Sequence, residues 1–133
     1  MSRSSFHKSL AVSALAISLT ACADTTDGLE VTFVGKLAVA PSTEDAMMAR
    51  IEGTLRETDD CIVLSLTGGG DVLPVFPSDA VRRDEAGGGY LLNDAPLDMS
   101  STQTFGGGEV KPVEGSSLAA AERCNVETLW LIG

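Results

Sequence analysis

The sequence predicts a mainly β, antiparallel domain with one short helix near its C-terminus. Three observations point there. Apolar and polar residues alternate through several short segments, the period of half-buried strands. Glycine triplets begin at Gly68, Gly87 and Gly106, each 19 residues after the last, and divide those segments as hairpin turns would. Ser117 to Arg123, "SLAAAER", carries the strongest helix signal, with serine at the cap, an alanine core and arginine in the last turn.

The elements follow in chain order. Leu29, Val31 and Phe33 alternate with Glu30 and Thr32, and Leu37 and Val39 resume the pattern after a bulge or bend at Gly35. Ser42 and Asp45 have capping-box spacing, which suggests a short helix over Ser42 to Ala49. Ile51, Gly53 and Leu55 mark another strand, and "TDD" at Thr58 to Asp60 a turn. "CIVLSL" from Cys61 reads as a buried strand. "DVLPVF" after the first triplet is the next, with Pro74 placing it at an edge or bulge. Ser78 to Gly89 is polar and glycine-ended, as a mobile loop would be. "YLLN", "TQTF", "EVKPV" and "ETLWLI" supply further short β segments. "GGGDVLPV" and "GGGEVKPV" match in all but two positions, yet "GGGYLLND" breaks the pattern, so the spacing reads as hairpin rhythm rather than duplication.

Residues 1 to 21 have a different character. Arg3 and Lys8 precede the apolar run "LAVSALAISLTAC", which is shorter than the roughly 20 residues of a membrane span. Basic start, short apolar stretch and small residues at its end are the layout of a secretory signal. Leu19-Thr20-Ala21-Cys22 resembles the lipobox of bacterial lipoproteins. That resemblance implies diacylglyceryl attachment to Cys22 and cleavage just before it, so that acylated Cys22 engages membrane lipid. Ala21-Cys22-Ala23 also fits an ordinary A-x-A site, which would release a soluble chain starting at Asp24. The lipobox is preferred because free cysteines are rare in exported proteins. Residues 22 to 28 become a lipidated cysteine and tether, and 29 to 133 a single β-rich domain. The protein is then exported to the bacterial cell envelope and lipid-anchored. Ala23, in place of an aspartate, favours the outer membrane in a Gram-negative host.

Composition narrows the chemistry. The whole chain carries a formal charge of −10, and loss of the signal leaves seven cations against nineteen acids, a charge of −12. Such a surface repels phosphate backbones, so no nucleic-acid partner is expected. The only histidine, His7, leaves with the signal. That removes Ser-His and Cys-His nucleophiles and imidazole metal ligands. No catalytic, cofactor-binding or metal residue is assigned. Cys61 and Cys124 are the pair that remains, and in an oxidising compartment they are expected to bridge.

Asp94 and Asp98, near Asn93, suggest calcium, but no D-x-[DN]-x-[DN]-G loop accompanies them. Ser-Lys catalysis would need Lys36 or Lys111 beside a serine, and neither sits in a motif. Phe33, Phe76, Tyr90, Phe105 and Trp130 read as core rather than as a stacking platform. Arg82 and Arg83 interrupt the acidic surface within the Ser78 to Gly89 loop and mark a face for an unidentified envelope protein partner.

A second resemblance spans Arg50 to Gly133. Ile51-Glu52-Gly53-Thr54-Leu55, Cys61, Leu73-Pro74-Val75-Phe76-Pro77, Gly106-Gly107-Gly108-Glu109-Val110, Cys124 and Trp130-Leu131 together resemble a loose group of small bacterial lipoproteins. The group has no assigned activity, and the resemblance implies a small antiparallel OB-like barrel. The function expected is a non-enzymatic binding or structural module at the envelope membrane. The alternative is a carboxylate-dependent enzyme or calcium-dependent binder using acids around Ser78 to Asp98.

Overall fold

The computed structural model describes residues 29–42 and 48–133; the expected signal, Cys22 and the expected tether lie outside them. The chain enters through a hairpin of β1 (Thr32–Val34) and β2 (Leu37–Ala40). Gly35 sits at φ +64°, a conformation glycine adopts without strain, and Val34 pairs with Leu37 across the turn. The expected bend is therefore a full reversal of the chain. The suggested helix over Ser42 to Ala49 falls on residues 43–47, outside the described ones. Its flanks do other work: Ser42 Oγ donates to Asp79 Oδ1 at 2.9 Å, and Ala49 already belongs to a strand.

The strands β3 (Ala49–Glu57), β4 (Ile62–Leu66) and β5 (Asp71–Pro77) form a meander. After a 3₁₀ turn at Ser78–Ala80 come β6 (Val81–Arg83), β7 (Tyr90–Leu92) and β8 (Ala95–Pro96), which make a separate three-stranded sheet. The chain then runs through β9 (Thr102–Val110), α1 (Gly115–Cys124) and β10 (Leu129–Ile132). In the main sheet β3, β4, β5, β10 and β9 pair in that cyclic order, closing a five-stranded barrel with the β1–β2 hairpin attached to β5.

The fold is mainly β with one helix, as the alternation predicts, but it is not wholly antiparallel. β10 runs parallel to β5, and β2 is parallel to β5 as well. Parallel neighbours need long crossover connections. Residues 78 to 128, including α1, supply one of them, and the β3–β4 hairpin lies within the other.

Two apolar clusters share the barrel wall. Leu55, Leu64, Phe76, Phe105 and Trp130, from all five barrel strands, meet inside it, with the Phe76 and Phe105 rings edge to face at 5.9 Å. Val63, Leu73, Val75 and Leu129 point to the other face of the wall and pack against Ala120, Ala121 and Cys124 of α1. This double burial explains why β2, β4 and much of β5 read as continuous apolar runs.

Four local expectations are corrected. Gly68–Gly70 and Gly87–Gly89 are turns, with Gly69, Gly70, Gly88 and Gly89 at positive φ. Gly106–Gly108 instead lies within β9, joining "TQTF" to Glu109 and Val110 in one strand, while Lys111 to Val113 of the expected "EVKPV" segment lie outside it. Gly107, at φ +145°, pairs with both Ala49 and Ile132 where β9 passes from β3 to β10, and a Cβ there would lie 1.9 Å from the Leu131 carbonyl oxygen. Pro74 is buried in the central strand β5, not at an edge. The Leu73 N–H donates to Thr128 O on the β10 side, so the Pro74 nitrogen faces the opposite edge. There the partner changes from β4, at Val72, to β2, at Val75, and no ladder bond is lost. The Ser78 to Gly89 stretch holds the 3₁₀ turn, β6 and the turn into β7. Finally, α1 begins two residues before Ser117, which is buried and donates to Glu114 O at 3.2 Å instead of capping the helix.

Candidate functional site

A cluster of interacting polar side chains lies on the outer face of β3, β4 and β5, beside the C-terminal end of α1. Arg56 points outward between buried Leu55 and the turn at Thr58. Its Nη2 donates to Asp71 Oδ2 at 2.6 Å and its Nε to Ser65 Oγ at 3.0 Å. Ser65 Oγ in turn donates to the other Asp71 oxygen at 2.9 Å. The triangle exists because Ser65 stands opposite Asp71 in the β4–β5 ladder while Arg56 reaches diagonally from β3.

A cavity of about 270 Å³ opens next to this triangle, lined by Arg56, Asp59, Asp60, Asp71, Arg123 and Asn125 among others. A second hollow continues from Asp71 and Asn125 toward Gly70 and Glu127. Asn125 adopts φ 58° as the left-handed cap of α1, and its N–H bonds helix carbonyls. The Arg123 guanidinium lies 3.8 Å from the Phe33 ring centre and donates to Asp60 O at 3.1 Å and Gly35 O at 3.4 Å. Phe33 is thus a half-buried platform for a cation, whereas Phe76, Phe105 and Trp130 are core as expected. The groove is of mixed charge, and its arginines are engaged within the chain.

Cys61 and Cys124 form a disulfide with Cα atoms 5.6 Å apart, binding the β4 end of the barrel to the last turn of α1. Cys61 is fully buried and Cys124 nearly so. Cys22 lies outside the described residues.

The acids singled out from the sequence are not brought together. Asn93 and Asp94, both at positive φ, form the two-residue turn between β7 and β8, a hairpin signal the sequence reading passed over. Asp94 accepts from Arg82. Asp98 instead closes its own turn, accepting from the Ser100 N–H and hydroxyl and from Ser101 Oγ. Hydrogen bonds, chiefly from Ser101, lower its carboxyl from 3.8 to about 2. No group of three or more metal-type ligands occurs among the described residues.

Lys36 donates to Glu57 Oε2 at 2.9 Å and Thr58 O at 3.0 Å. The Glu57 carboxylate raises the Lys36 ammonium above its ordinary value, the opposite of what a nucleophilic lysine requires. Lys111 lies 3.8 Å from Glu109. Arg83 packs over the Tyr90 ring, and Tyr90 Oη accepts the Lys36 N–H at 2.8 Å, which joins the small sheet to the entry hairpin.

Sequence reading missed the Arg56–Ser65–Asp71 triangle and the role of Arg123. The outward position of Arg56 is legible in the alternation of β3, but its partners emerge only from the register of three strands. No family model, curated protein or solved structure matches this chain.

Proposed function

We propose that this protein is an exported, lipid-anchored envelope lipoprotein whose disulfide-pinned barrel serves as a non-enzymatic binding or structural module. The Cys61–Cys124 bond carries the reading, because such a bond between strand and helix belongs to an oxidising compartment. The lipobox-like Leu19-Thr20-Ala21-Cys22 and the basic, apolar start before it support the same location. Acylation with two or three chains would hold the domain at the membrane essentially permanently.

We read the barrel as OB-like on its strand order, five strands closed in Greek-key fashion. The usual stacking platform for single strands does not follow, since Arg56, Ser65 and Asp71 occupy the outer face of β3 to β5. The polar groove beside the disulfide and the face bearing Arg82 and Arg83 are the surfaces offered to an envelope protein.

Two experiments test the reading. Wild-type protein expressed in its own host should partition into detergent, and Cys22→Ser should release it; a wild-type chain that stays aqueous overturns the anchor. Cross-linking in intact cells should repeatedly capture one envelope protein, with capture lost on Arg82→Ala/Arg83→Ala. Turnover of a defined substrate, abolished by changing one carboxylate, would overturn the non-enzymatic assignment.

A further inference from the structure

We propose that the β6–β8 sheet is a cover over one mouth of the barrel, latched by Tyr90 to the entry hairpin, and that it opens as a unit while the barrel stays folded. The device belongs to the β domain itself, with or without lipid at Cys22.

Topology places the cover. β10 is parallel to β5 and antiparallel to β9, so β5 finishes at the end of the barrel where β9 begins. The small sheet is inserted between those two points. Val81 of β6, Tyr90 and Leu92 of β7, and Leu97 and Met99 beyond β8 pack onto the interior cluster that holds Phe76 and Phe105. The wall is closed, so they reach that cluster through its mouth.

The attachment is slight. Among the described residues, no ladder bond joins the cover to a barrel strand. Of its strand residues Val81 alone is buried. Two side-chain hydrogen bonds fasten it to the rest of the described chain. Ser42 Oγ donates to Asp79 Oδ1 on the approach to β6, and the Lys36 N–H donates to Tyr90 Oη at 2.8 Å. The second is the latch. Tyr90 Oη and Arg83 Nη1 sit against the β1–β2 turn so closely that Gly35 has no room for a Cβ.

A segment with few buried contacts opens at a lower cost than the whole domain. Strands of three, three and two residues do not hold their ladder without a face to pack on. Release of the cover and loss of its internal bonds are therefore one event. That event bares the Phe76–Phe105 mouth and frees the Lys36 N–H together.

Native-state hydrogen exchange on the mature full-length chain tests the cover, in water and in urea too dilute to unfold the barrel. Its reporters are the N–H groups of Asp84, Asn93 and Leu97, bonded to Gly89 O, Ala80 O and Tyr90 O, and that of Lys36 at the latch. Leu73, bonded to Thr128 O, reports the barrel. The cover amides should share one opening equilibrium, about 100-fold or more above that of Leu73 and less sensitive to urea. Val63→Ala weakens the packing of the wall against α1, which the open form retains. It should speed Leu73 by roughly tenfold and leave the cover amides unchanged. Tyr90→Phe deletes the latch hydroxyl and keeps the ring beside Arg83. It should speed Asp84, Asn93 and Leu97 by roughly fivefold, the equivalent of one hydrogen bond. Cover amides that follow Leu73 in rate and urea dependence, or that Val63→Ala speeds as much as Leu73, overturn the independent opening. Cover amides unchanged by Tyr90→Phe overturn the latch.

Discussion

Removing the disulfide should cost a large part of the stability of this domain. The bridged residues are 63 apart in sequence, and closing a loop of that length lowers the entropy of the unfolded chain by the equivalent of about 4 kcal/mol near room temperature. A domain of this size is stable by about 5–15 kcal/mol in total. Alanine is the suitable replacement at both positions. Serine would leave a hydroxyl in the apolar cluster of Val63, Ala120 and Ala121, confounding the measurement. Urea unfolding of the lipid-free domain, followed by tryptophan fluorescence, reads the effect through Trp130, which is buried in the barrel. With a slope of about 1–3 kcal/mol per molar, Cys61→Ala/Cys124→Ala should lower the midpoint by about 1.5–4 M. The slope itself should rise, because the uncrosslinked chain exposes more surface on unfolding. Each single variant should lose nearly as much as the double one, since either change breaks the same bond. A double variant within about 1 kcal/mol of wild type would refute the loop-closure account.

Three further outcomes are expected. Gly107→Ala should destabilise by about 3 kcal/mol or more, because its Cβ would collide with the Leu131 carbonyl at a positive-φ position; an unchanged melting temperature would show that β9 does not turn there. Pro74→Ala should cost about 1–3 kcal/mol by adding a buried N–H at the seam between β4 and β2, and a neutral result would show that a bond forms across it. The Asp98 carboxyl should titrate near 2 by NMR. Its folded value lies below the unfolded one, so its stabilising contribution is present above pH 3.8 and lost as pH falls toward 2; Ser101→Ala should move the midpoint back up.

What the sequence made legible was local. Alternation located β3 and β10, the alanine-rich stretch located α1, and the count of cysteines paired Cys61 with Cys124. What it hid depends on distant partners. Pro74 is permitted in a central strand only because two different strands meet along one edge of β5. Gly106–Gly108 has the same local composition as the two turn triplets, and only the close approach of Leu131 makes it part of a strand. The parallel pairing of β5 with β10 joins segments more than fifty residues apart, which periodicity does not report. The same holds for the candidate groove, since Arg56, Ser65, Asp71 and Arg123 come from three strands and a helix.

We propose that this barrel is held at an envelope membrane through Cys22. Intact mass measurement of the mature protein, purified from membranes of its own host, tests it most directly. The expected chain begins at Cys22, carries two or three acyl chains and has no free thiol at Cys61 or Cys124. An unmodified chain beginning at Asp24 would contradict it.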